Sequence, residues 1–352
     1  MAEAAAAAGP RKRRRVPCLP VAHEWPNGPG SLQELLDFAK EAATCVLSCP
    51  ARRARLELVL KRTIVTDTVF TGRGCFEDSV RIFLFAAADI LQVPRPQIIH
   101  HSGCDHDDVA LAVLKQRKPA WAHCKLFSKA EGRLSASAAK RAARLLPDAG
   151  LSAAEAAERY KAFFRVLLRK PQIFFPQHAE DTNVLTGRKV RCRWQPHHDR
   201  HGTGAQCLIL NQGSTPCTGF SRRASRQIEG AGHSTMVCTY VSLAEQNGVL
   251  GQSIPAVSFH ENLKNFHWSE TAGALNNVTE ARRVIIGPEH CGVPARRDRG
   301  LGMMMGNSMC WFGAADHELE FQNLFGKALR LDSSVWMVDT PEHVQDLSMF
   351  VL

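Results

Sequence analysis

The chain has 352 residues, 45% of them hydrophobic, and a formal charge of +10. That is enough to bury one large core with an appendage, and the positive balance suits an acidic partner. No apolar stretch reaches the roughly 20 residues that span a bilayer. Twelve cysteines at irregular spacing, with no Cys-x-x-Cys, exclude a small disulfide scaffold and fit a reducing compartment.

Residues 1–30 are rich in Ala, Pro and Gly and are expected to be a disordered basic tail. The Ala run at 4–8 precedes its basic cluster, which is the wrong order for a secretory signal. That cluster, Pro10-Arg11-Lys12-Arg13-Arg14-Arg15-Val16, reads as a nuclear import signal or a nucleic-acid arm. Ser31 to Cys49 is a helix candidate with Ser31 as N-cap, closed by Pro50. Thr63-Ile64-Val65 and Thr68-Val69-Phe70 predict a strand, after which Gly72 and Gly74 let the backbone turn and approach a ligand. A helix over Asp78–Leu91 and a strand at Gln97–His101 follow. Asp105, just past that strand, is placed either to accept hydrogen bonds from ribose hydroxyls or to cap a helix over 107–116. The two roles are compatible.

Residues 128–204 read as a helical, basic insertion. Ser128–Leu146 and Ser152–Arg169 are its helices, the second opened by Ser152 with Glu155 three residues on. Its cationic face could touch nucleic acid or be an ordinary solvated surface. Cys192, His197, His198, His201 and Cys207 are metal-type residues, but their spacing matches no zinc pattern and no metal is expected.

Cys207-Leu208-Ile209-Leu210 predicts a strand that ends in the turn Gly213-Ser214-Thr215-Pro216-Cys217-Thr218-Gly219-Phe220-Ser221. A cysteine at the carboxyl end of a buried strand faces the crevice where ligands bind in open α/β sheets, and a thiolate is a strong nucleophile. The alternative is a buried structural cysteine. Ser234–Gly248 is a helix candidate. The apolar run Ile254–Phe259 leads to Glu261, whose carboxyl would be protonated if desolvated at a strand end, or salt-bridged if at the surface. Arg297 and Arg299 alternate, so along a strand they share a face; a solvated basic turn is the other reading.

Four segments, in this order, resemble the cytosine-C5 methyltransferase family. Asp67-Thr68-Val69-Phe70-Thr71-Gly72-Arg73-Gly74-Cys75 is similar to its Phe-x-Gly-x-Gly loop, and Pro216-Cys217 with Gly219-Phe220-Ser221 to its catalytic loop. Glu261-Asn262-Leu263 is similar to its Glu-Asn-Val segment, and Gly292-Val293-Pro294-Ala295-Arg296-Arg297-Asp298-Arg299 to its Gly-Val-Pro-Gln-x-Arg-x-Arg segment. The resemblance spans roughly 60–125 and 205–306. It implies a Rossmann-like S-adenosylmethionine-dependent methyltransferase fold, α/β in class. Residues 31–127 would form the cofactor-binding part, 205–306 the catalytic part and 307–352 a short C-terminal segment.

The resemblance further implies that Phe70, Gly72, Gly74, Asp105 and Pro216 hold S-adenosylmethionine. Cys217 would attack C6 of a flipped cytosine, Glu261 would hold its N3 edge, Arg299 its O2 edge, and Arg297 would orient Glu261. Arg222, Arg223 and Arg226 would contact phosphates of DNA, or of RNA. The chain departs from the family pattern in several places. Ala295 stands for Gln, Ser214-Thr215 for Gly-Pro, and His123-Cys124-Lys125 lies near the place of an adenine-contacting Asp. Only 53 residues follow Arg299, so the C-terminus is expected to be truncated or the target-recognition region reduced. The expected activity is that of a nuclear DNA cytosine-C5 methyltransferase. A catalytically inactive relative that binds nucleic acid or a partner, and a tRNA cytosine-C5 methyltransferase, are the alternatives.

Overall fold

The structure is a computed structural model that describes residues 37–326 except 71, 73, 106, 108–109, 111, 113–124, 128–135, 147–150, 171–177, 183–187, 194–205, 216–230, 265, 291–297, 307–308 and 310–316. Two helices open it, α1 (Phe38–Leu47) and α2 (Pro50–Leu60). Pro50 does more than close the first helix, as the sequence suggested. It is the first residue of the second, where its missing N–H costs nothing and its fixed φ already suits the helix. Then come β1 (Thr63–Val69), α3 (Cys75–Leu91), β2 (Ile98–Cys104) and β3 (Lys125–Phe127). The expected insertion contributes α4 (Ala136–Leu145), α5 (Ala153–Arg169) and a hairpin of β4 (His178–Thr182) and β5 (Lys189–Arg193). The chain returns through β6 (Cys207–Ser214), α6 (Ala231–Leu250), β7 (Ala256–Leu263), α7 (Trp268–Gly273), β8 (Glu280–Ile286), β9 (Arg299–Met305) and α8 (His317–Phe325).

Seven strands form one sheet in the order β3-β2-β1-β6-β7-β9-β8. All neighbours are parallel except at β9, which runs antiparallel to both β7 and β8. The order reverses between β1 and β6, which makes a topological switch point at their carboxyl ends, the place where doubly wound sheets bind ligands. This is the expected Rossmann-like α/β fold.

Side chains alternate along each strand and so divide between two faces. On one face, Ile64 and Leu208 pack with Leu56, Leu60, Leu84 and Ala88 of the first three helices. On the other, Val65, Cys207, Ile209 and Met304 pack against α6. The insertion is no separate body. Phe163 and Leu167 of α5 have no exposed surface and share the core of α6, with the Phe164 ring 4.8 Å from that of Tyr240. Ser152 and Glu155 form the capping box at the start of α5 that the sequence announced.

The α6 face is not uniformly apolar. Thr239, Ser242 and Gln246 of α6 are buried against Asp67, Asn211, Ser258, His260 and Asn262 of the strands. Register places Asp67, Asn211 and Ser258 in one row across three adjacent strands. Buried polar side chains cost free energy unless they are hydrogen-bonded, so this layer constrains where the strand ends lie.

Candidate active site at the carboxyl edge of the sheet

The carboxyl ends of β1, β2, β6 and β7, and the start of antiparallel β9, lie along one edge. Register fixes this: Val69 pairs with both Cys104 and Gly213, Ser214 with Glu261, and Leu263 with Arg299.

Past β1 the backbone turns through left-handed conformations. Phe70 has φ +59°, Gly72 +59° and Gly74 +78°. For Gly72 the backbone angle, not space, makes glycine necessary, since a side chain there would meet nothing within 4 Å. Phe70 is a buried phenylalanine held in the same region, a strain that surroundings must sustain. Gly74 opens α3, whose first turn carries no side-chain cap. Its Glu77 is buried and accepts from Thr68 Oγ1 at 2.7 Å.

Asp105 lies one residue beyond β2 and is buried. One carboxylate oxygen accepts from the Gly72 amide at 2.6 Å, the other from the Asp107 amide at 2.9 Å. The first bond joins the β1 loop to the end of β2, a contact the sequence did not suggest. The second closes a local turn, and the helix-cap pattern belongs to Asp107, whose carboxylate accepts from Ala110 N at 2.9 Å. The left-handed loop, the uncapped helix start and this acid together fit a nucleoside-bearing cofactor.

Glu261 and Arg299, 38 residues apart, meet at the same edge. Arg299 Nε donates to Glu261 Oε1 at 3.1 Å, and the side chains keep 16% (Arg299) and 36% (Glu261) of their exposure. The other Glu261 oxygen accepts from Ser214 Oγ at 3.2 Å. The desolvated setting expected for this acid is therefore not what β7 provides: it stands opposite a guanidinium, partly open to solvent. Arg299 Nη1 donates to the Asp298 carbonyl at 3.2 Å. Arg299 is the first residue of β9, which is where the sequence placed a strand start.

Directly behind lies a buried chain of polar groups. Asn262 Nδ2 donates to Thr215 Oγ1 at 3.0 Å, Thr215 Oγ1 meets His260 Nε2 at 3.4 Å, and His260 Nδ1 meets Gln246 Oε1 at 3.2 Å. Gln246 Nε2 donates to the Phe259 carbonyl at 2.7 Å. Because that amide nitrogen is spent on a carbonyl, Gln246 Oε1 is the acceptor and His260 Nδ1 carries the hydrogen. His260 Nε2 then accepts from the Thr215 hydroxyl. Burial pushes the imidazole down to about 3, so it stays neutral and keeps this tautomer across ordinary pH. The four side chains were not singled out from the sequence. Only strand register makes 215, 260 and 262 neighbours.

Pro216, Cys217, Arg222, Arg223, Arg226 and Arg297 lie outside the described residues. So do the basic run at 10–16, the tail before residue 31, His197, His198 and His201. Among the described residues no cluster of three metal-type side chains occurs and no helix is long and apolar enough to cross a membrane.

No protein-family model and no curated protein matches the chain. Solved structures similar to it include a mutant DNMT2 from Spodoptera frugiperda, at TM-score 0.33 and 14% identity over 73% of this chain and 54% of that one. S. pombe Dnmt2 gives 0.35 and 12%, over 74% and 54%. The Entamoeba histolytica methyltransferase EhMeth gives 0.36 and 12%, over 73% and 57%. The chain thus spans a little over half of these proteins.

Proposed function

We propose that the chain is a nucleic-acid cytosine-C5 methyltransferase, with DNA as the first substrate to test and tRNA as the second. The observation that carries this reading is the meeting of Glu261 and Arg299 beside the exit of β6, where the chain leads into Cys217. Thr215 is tied to Asn262, the neighbour of Glu261. Two residues of chain cannot carry the Cys217 Cα more than about 7 Å from that of Thr215. An acid and a guanidinium thus meet where the chain enters the segment that carries Cys217.

The chemistry follows from these groups. C5 of cytosine is a poor nucleophile. Attack by the Cys217 thiolate forms an S–C6 bond and sends the ring electrons toward C5, N3 and O2, which divides one hard step into two. Glu261 accepts from the exocyclic amine as a carboxylate, or donates to N3 once protonated. Arg299 already spends Nε and Nη1 on Glu261 and Asp298, which leaves Nη2 for O2 and the charge that gathers there. Phe70, Gly72, Gly74, Asp105 and Pro216 would hold S-adenosylmethionine, which would supply the methyl group to C5 and leave as S-adenosylhomocysteine. Loss of the C5 proton to a base then lets the S–C6 bond break and the thiolate return. The target base leaves its stack to reach the edge, at a few kcal/mol. Arg222, Arg223 and Arg226 suit phosphate contacts in the Cys217 loop, Arg297 suits the orientation of Glu261, and the basic run at 10–16 suits nuclear import.

Trapping tests this. Full-length protein with S-adenosylmethionine and an oligonucleotide carrying 5-fluorocytosine should form a covalent adduct that Cys217→Ser abolishes. Parallel DNA and tRNA arms, followed by mass spectrometry for 5-methylcytosine, assign the substrate. Cofactor binding with no adduct on either nucleic acid would favour a non-catalytic relative. No cofactor binding at all would refute the methyltransferase reading.

A further inference from the structure

We propose that the hydrogen-bonded chain Asn262–Thr215–His260–Gln246 is a positioning device that sets where β6 hands over to the Cys217 loop. The proposal rests on Cys217 being the nucleophile and goes beyond that reading by assigning new residues to its placement.

Strand alternation sends Ser214 and Thr215 to opposite faces of the sheet. On one face Ser214 Oγ donates to Glu261 and accepts from Gln212 Nε2 at 2.6 Å. On the other, Thr215 accepts from Asn262 and donates to His260. The last two described positions before Pro216 are therefore gripped from both sides, and each grip runs to β7, the strand that carries Glu261. Both grips run to this one strand, although 44 residues separate Cys217 from Glu261 in the chain.

The buried side has no slack. Thr215, His260, Asn262 and Gln246 retain 5%, 1%, 2% and 0% of their surface, so a broken link cannot be repaired by solvent. Each hydrogen bond runs the same way, from Asn262 through Thr215 and His260 to Gln246 and the Phe259 carbonyl, so every donor has one acceptor. His260 is further held by Phe266 and Trp268, with ring centroids at 5.7 and 6.2 Å. Its neutrality comes from burial alone. It therefore acts as a fixed link in this chain and not as a base. The groups that face it are uncharged: Thr215, Gln246, Phe266 and Trp268.

Displacement of a reacting atom by about 1 Å can cost on the order of 100-fold in rate. Thr215→Val keeps the shape of the side chain and removes both hydrogen bonds. In single-turnover trapping on the 5-fluorocytosine oligonucleotide, the full-length variant should form adduct roughly 100-fold more slowly. Its affinity for S-adenosylmethionine, measured by calorimetry, should stay at the wild-type value, and Thr215→Ser, which restores the hydroxyl, should recover most of the rate. Thr215→Ala carries the same expectation if valine is not accommodated. Wild-type adduct rates in the valine or alanine variant would overturn the positioning role. So would rates that fall in proportion to cofactor affinity and are not rescued by serine, because that is the signature of general loosening. A wild-type protein that forms no adduct overturns the methyltransferase reading itself, and with it this role.

Discussion

Gly213→Ala offers the sharpest test of the packing under the site. A methyl group built on Gly213 would lie 2.5 Å from Ser242 Oγ, with Gln246 Oε1 and His260 Nδ1 next at 3.4 Å. Ordinary contact lies near 3.5–4.0 Å, so one atom, a buried hydroxyl on α6, supplies nearly all of the conflict. Overpacking of this kind costs about 1–3 kcal/mol. Ser242 Oγ is buried and makes no hydrogen bond, so its removal takes away an unsatisfied group and Ser242→Ala should be neutral or slightly stabilising. In the double variant the methyl has room. Gly213 does not occupy the left-handed region, so alanine also restricts the unfolded chain by about 0.4–1 kcal/mol in favour of folding. Urea unfolding of the four proteins should give a destabilised Gly213→Ala and a double variant at or above wild type. The coupling energy should be at least ~1 kcal/mol. A double variant as unstable as Gly213→Ala, or a Ser242→Ala that by itself costs more than ~1 kcal/mol, would show that this reading of the α6–β6 contact is wrong.

Three further outcomes are expected. Arg299→Ala and Glu261→Gln should each slow adduct formation by about 100-fold or more. Unfolding midpoints should barely move, because a partly exposed ion pair contributes at most ~1 kcal/mol. Asp105→Asn removes one of two carboxylate acceptors from the Gly72 and Asp107 amides. It should weaken S-adenosylmethionine binding by about tenfold or more in calorimetry, and unchanged affinity would show that the β1 loop does not need this clamp. Burial lowers His260 to about 3 and His100 to about 4. In both cases the unfolded imidazole binds the proton more readily. Stability is therefore complete above the unfolded value near 6.5 and falls as pH drops from there toward 4. Over that window the slope should approach two protons, and His100→Asn should remove one of them; urea midpoints at pH 7, 6 and 5 measure it.

Much of the architecture was legible because it is written in local chemistry. The β-branched run at 63–70, the apolar run at 207–210, the glycines after β1, and the Ser152–Glu155 box act within a few residues of themselves, and each appears where its pattern placed it. Glu261 and Asp105 were legible as candidates because charged residues after apolar runs mark strand ends, and Arg299 because it alternates with Arg297. Their settings were not. Whether Glu261 sits in an apolar pocket or opposite a guanidinium depends on β9 running antiparallel beside β7, a pairing with no local signature. The strand β8 and the helix α8 have no signature in the sequence for the same reason: their residues are mixed in character until a partner covers one side. The buried chain through Thr215 and His260 is the plainest case. A threonine, a histidine, an asparagine and a glutamine spread over 48 positions have no periodicity, and they become one unit only when parallel pairing of β6 with β7 aligns Ser214 with Glu261. Local propensity thus determined which segments are strands and helices and which side chains could do chemistry, since those depend on neighbours along the chain. Hydrogen bonds between strands and the burial they impose decided which of those side chains face one another, because such contacts exist only after the sheet has closed.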